Sequence, residues 1–273
     1  MRTLSLALLL SLLATSSVSA QTAEARFRWQ KGQVLHYRVE HVTEVAETVN
    51  GNKVETKAKV DLIKRWEVVD VDAQGIAILR LSITAMRNEQ TRPNGEVLLF
   101  DSRSLDKSTA ELREQMAKFI GQPLALLRVD GQGKVIEVKQ GVAGRYEAEP
   151  PFAFNLSASQ LQVGQTWQRD YAITLDPPHG TGEKHPTQQS YRCTKIDANL
   201  ATMTLATALV KTPPAKADQV SLLQKLPQGE VVFDIQNGRL HSTRLTIDRE
   251  IFGHQGEGSV YRFRSTYSEQ YAE

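Results

Sequence analysis

The sequence predicts a mainly β (α+β) protein built from antiparallel strands, on three observations. Apolar and polar residues alternate with period two over long stretches, the pattern of strands buried on one face. Groups of Asn, Asp and Gly break those stretches at turns. Only the segment around Ser108 carries convincing helical signals.

The elements follow in order. Met1-Arg2, an apolar run from Leu4 to Ala14 and the small residues Val18-Ser19-Ala20 before Gln21 form a secretory-leader pattern. Residues 1–20 are therefore expected to be cleaved after Ala20, leaving a soluble periplasmic or extracellular protein. The apolar run is shorter than the roughly 20 residues a bilayer span needs. No cysteine follows the cleavage site to carry a lipid anchor. In Leu35-His36-Tyr37-Arg38-Val39 the odd positions are apolar, and Asn50-Gly51-Asn52 turns the chain into a strand from Lys53 to Ile63. A second pair runs Trp66–Val71 and Ile76–Met86 about the turn Asp72-Ala73-Gln74-Gly75, with Ala77, Leu79, Leu81, Ile83 and Ala85 on one face. Arg92-Pro93-Asn94-Gly95, Asp130-Gly131-Gln132-Gly133 and Gln236-Asn237-Gly238 mark further turns. The final strand sets Tyr261, Phe263, Ser265, Tyr267 and Tyr271 on one side, toward the core.

The helix is expected over 108–120. Ser108-Thr109-Ala110-Glu111 has capping-box spacing, Leu112, Met116 and Phe119 share a face, and Gly121 ends it. A weaker helix spans about 218–226, stopped by Pro227. Two halves are expected, 21–145 and 146–273, the second either a diverged repeat of the first or alike only because hairpins reuse Gly, Asp and Asn at their turns. Gly32-Gln33 and Gly164-Gln165 each open a strand, and Val71-Asp72-Ala73 is echoed by Ile196-Asp197-Ala198.

Trp29-Gln30-Lys31-Gly32-Gln33 with Tyr37, the Thr- and Val-rich strand pair, Trp66 and Phe100-Asp101-Ser102 together resemble a functionally uncharacterised exported bacterial β-rich family of planctomycete type. The resemblance spans most of residues 27–250 and implies a β-rich exported protein with no known activity. A looser likeness is to the half-barrels of lipoprotein-carrier proteins. It implies a curved sheet whose concave face holds a helix, here the one over 108–120.

Charge and chemistry narrow the function. The chain has 33 basic and 31 acidic residues; Arg2 lies in the leader, so 32 against 31 leaves the mature chain near +1. Such a balance offers no bulk attraction to nucleic acid. The single cysteine, Cys193, can form no intrachain disulfide and reads as a small buried residue of a strand. His36 and His41 point to opposite faces of one strand and cannot share a metal, while His241 in register with Thr243, Leu245 and Ile247 fills a face. His254, in a glycine-rich stretch, belongs to a hairpin loop. The loop 176–186 gathers Asp176, His179, Glu183 and His185 without recognised ligand spacing and reads as a solvated connection. No cofactor and no metal are expected, and no nucleophile signature is present.

The sequence therefore points to an exported, non-catalytic binding or cell-envelope component. The alternatives are a carrier of an apolar, lipid-like ligand and a hydrolase whose site assembles across strands around His179, His185 or His241. Leu112, Met116, Phe119 and Trp66 are the candidate lining of an apolar pocket; Trp66, Trp29 and Trp167 also read as core.

Overall fold

The computed structural model describes residues 22–141, 154–156, 160–177 and 180–273. Strands make up 62% of the chain, in a large antiparallel curved sheet that does not close into a barrel. The first half holds β1 (Thr22–Glu24), β2 (Val34–Val49), β3 (Asn52–Val71), β4 (Ala77–Thr91), β5 (Val97–Asp101), α1 (Ala110–Met116), β6 (Pro123–Val129) and β7 (Val135–Gln140). The second holds β8 (Gln160–Gln162), β9 (Thr166–Leu175), β10 (Glu183–Asp197), β11 (Leu200–Leu209), α2 (Lys216–Leu223), β12 (Gln228–Asp234), β13 (Arg239–Phe252) and β14 (Val260–Ala272). The sheet order is β7-β6-β4-β3-β2-β14-β13-β12-β11-β10-β9, with β5 on the far half of β4 and a separate β1–β8 pair. The last strand thus lies against the first long one, and the β2–β14 seam joins the two wings.

Asn50 and Gly51 both take positive φ, the geometry of a two-residue hairpin turn whose twist matches its strands, so β2 and β3 pair from Val49↔Asn52 to Val34↔Glu67. The two strands expected on either side of Ile63 are one strand, β3. The ladder slips on β4, where Lys64 pairs Ile83 but Ile63 pairs Ala85, leaving Thr84 as the extra residue. That bulge corrects the expected face: Leu79, Leu81 and Ile83 point inward, whereas Ala85 moves outward opposite Ile63, and Met86 and Asn88 take the inner face. A second bulge makes His241 the extra residue between Leu240 and Ser242, so His241 loses the register of Thr243, Leu245 and Ile247.

One end of the sheet is closed by a continuous core. Leu35, Tyr37, Trp66 and Leu79 come from one wing and Tyr191, Met203, Phe233 and Leu240 from the other. Between them runs the segment after β1. Phe27 N–H donates to the Gly131 carbonyl at 2.7 Å in the β6–β7 turn, and Arg28 N–H donates to the Gly238 carbonyl at 2.9 Å in the β12–β13 turn. Phe27 stacks on Trp29 at 5.0 Å and meets Phe233 edge-on at 5.0 Å. Both turns need glycine, by φ of +83° at Gly133 and +62° at Gly238 and by space: a Cβ would come 2.6 Å from the Phe27 ring and 2.5 Å from Arg28 Cγ.

Both helices lie on the inner face toward the other end. Leu112, with Met86, Met116, Leu98 and Phe100, docks α1 on one wing. On the other wing α2 reaches Ile247, Ile251 and Phe263 through Leu223, and Ile173 and Leu175 through Leu222. Strands β13 and β9 are separated by three others, so a helix of eight residues touches both only because the sheet curves beneath it. Three features of α1 differ from expectation. It ends at Met116 and tightens into a 3₁₀ turn over Ala117–Phe119. That change of pitch turns Phe119 outward, 47% exposed, and Ile120 packs on the cluster instead. Ser108 and Thr109 do not cap the helix; their hydroxyls accept from Asp101 N–H and Leu99 N–H and fix the helix to β5.

Phe27→Ala should therefore cost about 3–5 kcal/mol, as deletion of a buried aromatic does. Phe119→Ala should change stability by less than about 1 kcal/mol. Urea midpoints of the two variants check the pair, and equal losses would contradict this placement of the strap and the helix face.

Candidate functional site

Between the two helices the inner face of β3, β2 and β14 forms the floor of a trough. Ala58, Val60 and Leu62 on β3 point into it, only half-buried, and belong to neither helix's cluster. Cross-strand pairing continues the floor: Ala58↔Thr43↔Ser265, Val60↔His41↔Tyr267 and Leu62↔Val39↔Glu269. The outer face of the same strands is a ladder of exposed ion pairs, among them Lys59–Glu40 at 2.9 Å and Lys57–Glu44 at 2.8 Å. Such pairs stabilise little and mark a solvated surface. An outer-face depression of about 350 Å³ is lined by Arg38, Asp61, Ile63, Ala85 and Arg87 of β2 to β4 and by Arg103 after β5, among others.

Where the trough meets the closed end, charged groups enter the apolar register. Lys64 crosses β2 to reach β14: its Nζ donates to the Tyr267 hydroxyl at 2.8 Å and lies 3.4 Å from Glu269 Oε2. The Tyr267 hydroxyl donates to the same carboxylate oxygen at 2.6 Å. The Glu269 side chain is fully buried and that of Lys64 is 13% exposed. Glu269 Oε1 is buried with no hydrogen-bond partner among the described residues. Beside this pair, His41 Nε2 lies 2.8 Å from Ser265 Oγ and 3.3 Å from Thr43 Oγ1, with its ring edge-on to Tyr267. Burial, and then the nearby Lys64 charge, hold the His41 imidazole below its ordinary value and so neutral near pH 7. Under the cluster, Tyr37 donates to the Leu240 carbonyl at 3.2 Å, and its phenol is driven upward chiefly by burial.

A second buried network lies on the other wing. Gln189 accepts from Arg169 and from the Tyr191 hydroxyl and donates to Thr207, while Arg169 also donates to Asn155. At the far end the loop between β13 and β14 is fastened to β2. His254 Nε2 sits 2.6 Å from Glu47 Oε1, and Gln255 donates to the same oxygen at 2.8 Å.

The expected site residues separate. Leu112 is buried, Met116 is half-buried against Asn88, and Phe119 faces out. Trp66 is 3% exposed inside the closed-end core, in a different cluster from α1. His36 and His41 point to opposite faces as expected. Cys193 is fully buried in β10, where burial pushes its thiol up. The connection expected over 176–186 is shorter, since β10 begins at Glu183 and takes in His185 and Pro186; His179 lies outside the described residues. Among the described residues no group of three or more His, Cys, Asp or Glu gathers as metal ligands. Sequence reasoning missed Lys64 and Glu269. The available signal was a charge in the inward register, Glu269 between Tyr267 and Tyr271, and Lys64 between Leu62 and Trp66.

No family model matches the chain, and no curated protein matches it. Among solved structures it is similar to a lipovitellin structure concerned with lipid–protein interactions, 13% identical over 89% of this chain, with a TM-score of 0.49. The match covers 25% of the lipovitellin chain, so this chain spans about a quarter of that protein. A DUF1329 family protein from Desulfovibrio piger is 11% identical over 89% of this chain and 85% of its own, with a TM-score of 0.18. MucB in complex with MucA(peri) is 9% identical over 86% and 89%, with a TM-score of 0.13. At these values none of the likenesses bears on what this chain binds.

Lys64→Met should cost about 3–5 kcal/mol, because it strands a buried carboxylate. The double variant Lys64→Met/Glu269→Gln should recover most of that loss, and a urea double-mutant cycle measures the coupling. A second expectation concerns pH. The folded His41 imidazole titrates below the unfolded value of 6.5, so unfolding takes up a proton between the two values. Its contribution is fully present above pH 6.5 and is lost as pH falls through the folded value. His41→Gln should flatten stability against pH in that window, and identical slopes in variant and parent would refute the assignment.

Proposed function

We propose that this protein is a non-catalytic binding protein that holds the apolar chain of an amphiphile on the inner face of its curved sheet, between α1 and α2, after export from the cytoplasm. The observation that carries the reading is the half-exposed strip Ala58, Val60 and Leu62 on the trough floor. A sheet needs an apolar inner face in order to fold, so apolarity alone argues nothing. Here the closed end buries Leu79, Leu127, Val129 and Met203 completely, whereas the strip between the helices stays half open to water. Leaving such side chains partly wet forgoes on the order of 1 kcal/mol each, which an acyl chain laid along them restores. The ion-paired outer face offers no comparable apolar surface along the same strands.

Export rests on the leader pattern of residues 1–20. No helix among the described residues is long and apolar enough to cross a membrane.

The test uses the neutral apolar probe N-phenylnaphthylamine and the Val60→Lys variant, which puts a charge on the trough floor without removing buried volume. The parent should bind the probe with a fluorescence rise, and Val60→Lys should weaken binding at least tenfold with little change in the urea midpoint. No binding by the parent, or equal binding by the variant, overturns the reading.

A further inference from the structure

We infer that the ligand's polar end is uncharged, a hydroxyl, ester or amide group, and that it docks on the Lys64, Tyr267 and Glu269 cluster with His41, Thr43 and Ser265 around it. This rests on the binding reading above and adds the class of headgroup.

The placement follows from the order of side chains along the floor. From the far end toward the closed end, the inward positions of β2 run Val45, Thr43, His41, Val39 and Tyr37. Val45 packs with the α2 cluster, Thr43 and His41 are half-buried and polar, and Val39 and Tyr37 are buried. An acyl chain lying over Ala58 and Val60 therefore brings its polar end to Thr43 and His41, one strand spacing from Ser265 and Tyr267.

The charge class follows from what that end would meet. Lys64 and Glu269 already compensate one another through the ion pair and the shared tyrosine hydroxyl. A carboxylate entering the cluster would share Lys64 with a second carboxylate in a poorly hydrated site, where like charges oppose one another strongly. An ammonium would face Lys64 in the same way. A neutral hydroxyl or amide brings no such conflict. It finds acceptors and donors in Thr43, Ser265 and His41, and it brings a hydrogen that can serve Glu269 Oε1, a buried atom with no hydrogen-bond partner among the described residues.

The experiment is displacement of N-phenylnaphthylamine from the full mature chain at pH 7.5 by monoolein, oleate and oleylamine, which share one chain and differ in headgroup. Each is used below its aggregation concentration. Monoolein should displace the probe at a concentration at least tenfold lower than either charged lipid. Glu269→Gln, which leaves the Lys64 charge uncompensated, should tighten oleate binding at least tenfold relative to monoolein. Should that variant fail to fold, Thr43→Val at a half-buried position carries the same question: monoolein should weaken severalfold more than the probe, which has no hydroxyl. Oleate or oleylamine equalling monoolein on the parent overturns the headgroup assignment and leaves apolar binding standing. So does Thr43→Val weakening monoolein and probe alike. Failure of the probe and all three lipids to bind removes the underlying binding reading and this inference together.

Discussion

An antiparallel sheet of this size, open at both edges, has to be held in its curve, and the segment from Ala25 to Trp29 does so. It is hydrogen-bonded to the Gly131 turn of one wing and the Gly238 turn of the other, and the Phe27 ring fills the space between the wings against Phe233. The two turns are formed by residues more than 100 positions apart, and this segment bonds to both through neighbouring residues, Phe27 and Arg28. Removing the side chain at Gly133 and Gly238 is what lets that segment approach. With the closed end fixed, the inner face becomes concave, α2 can touch β13 and β9 at once, and the floor between the helices becomes a trough rather than a flat surface.

The Lys64–Glu269 pair acts on a second constraint, the register of the β2–β14 seam. That seam joins the first long strand to the last, so no tight turn sets its alignment. A slip of one residue would carry Glu269 to the outer face and leave Lys64 alone among Tyr37, Trp66 and Leu62. An unpaired buried charge is far more costly than a paired one is beneficial. The pair therefore adds little to overall stability and penalises the wrong alignment heavily. Because it spans three strands, it ties β3 to β14 across β2 in the same step.

Much of the architecture was legible in the alternation and the turns. The Asn50-Gly51 hairpin, the Asp130–Gly133 turn and the inward side of β14 all follow from local residue order, because turn dihedrals and pleating are local properties. The Gly32-Gln33 and Gly164-Gln165 turns share one local hydrogen-bond pattern. Gly32 N–H donates to Val68 O and Val68 N–H to Gln33 O, and Gly164 N–H donates to Cys193 O and Cys193 N–H to Gln165 O. The features that escaped are those where local order competes with a distant partner. Thr84 and His241 read as regular strand residues until the neighbouring strand forces a bulge. Ser108 and Thr109 look like a helix cap, but β5 claims their hydroxyls first. The polar cluster was half visible, as charges in an apolar register. Their pairing depended on strands some 200 residues apart, Lys64 and Glu269 being separated by 205 positions.

The contrast between the two ends of the inner face separates a surface required for folding from one left available. Strands β2, β3 and β14 run from one end to the other, and their inward rows, mostly apolar at the closed end, take in Thr43, His41 and Ser265 farther along. At the closed end the wings converge on Phe27 and Phe154, and the side chains there are buried. At the other end two helices are available to complete the burial, yet each docks on its own wing and their clusters stay apart, leaving Ala58, Val60 and Leu62 between them. A single helix laid along the middle would have covered that strip at no chemical cost. Among the described residues each helix keeps instead to its own wing, so the middle of the inner face owes its half-exposure to where the helices dock rather than to a break in its strands.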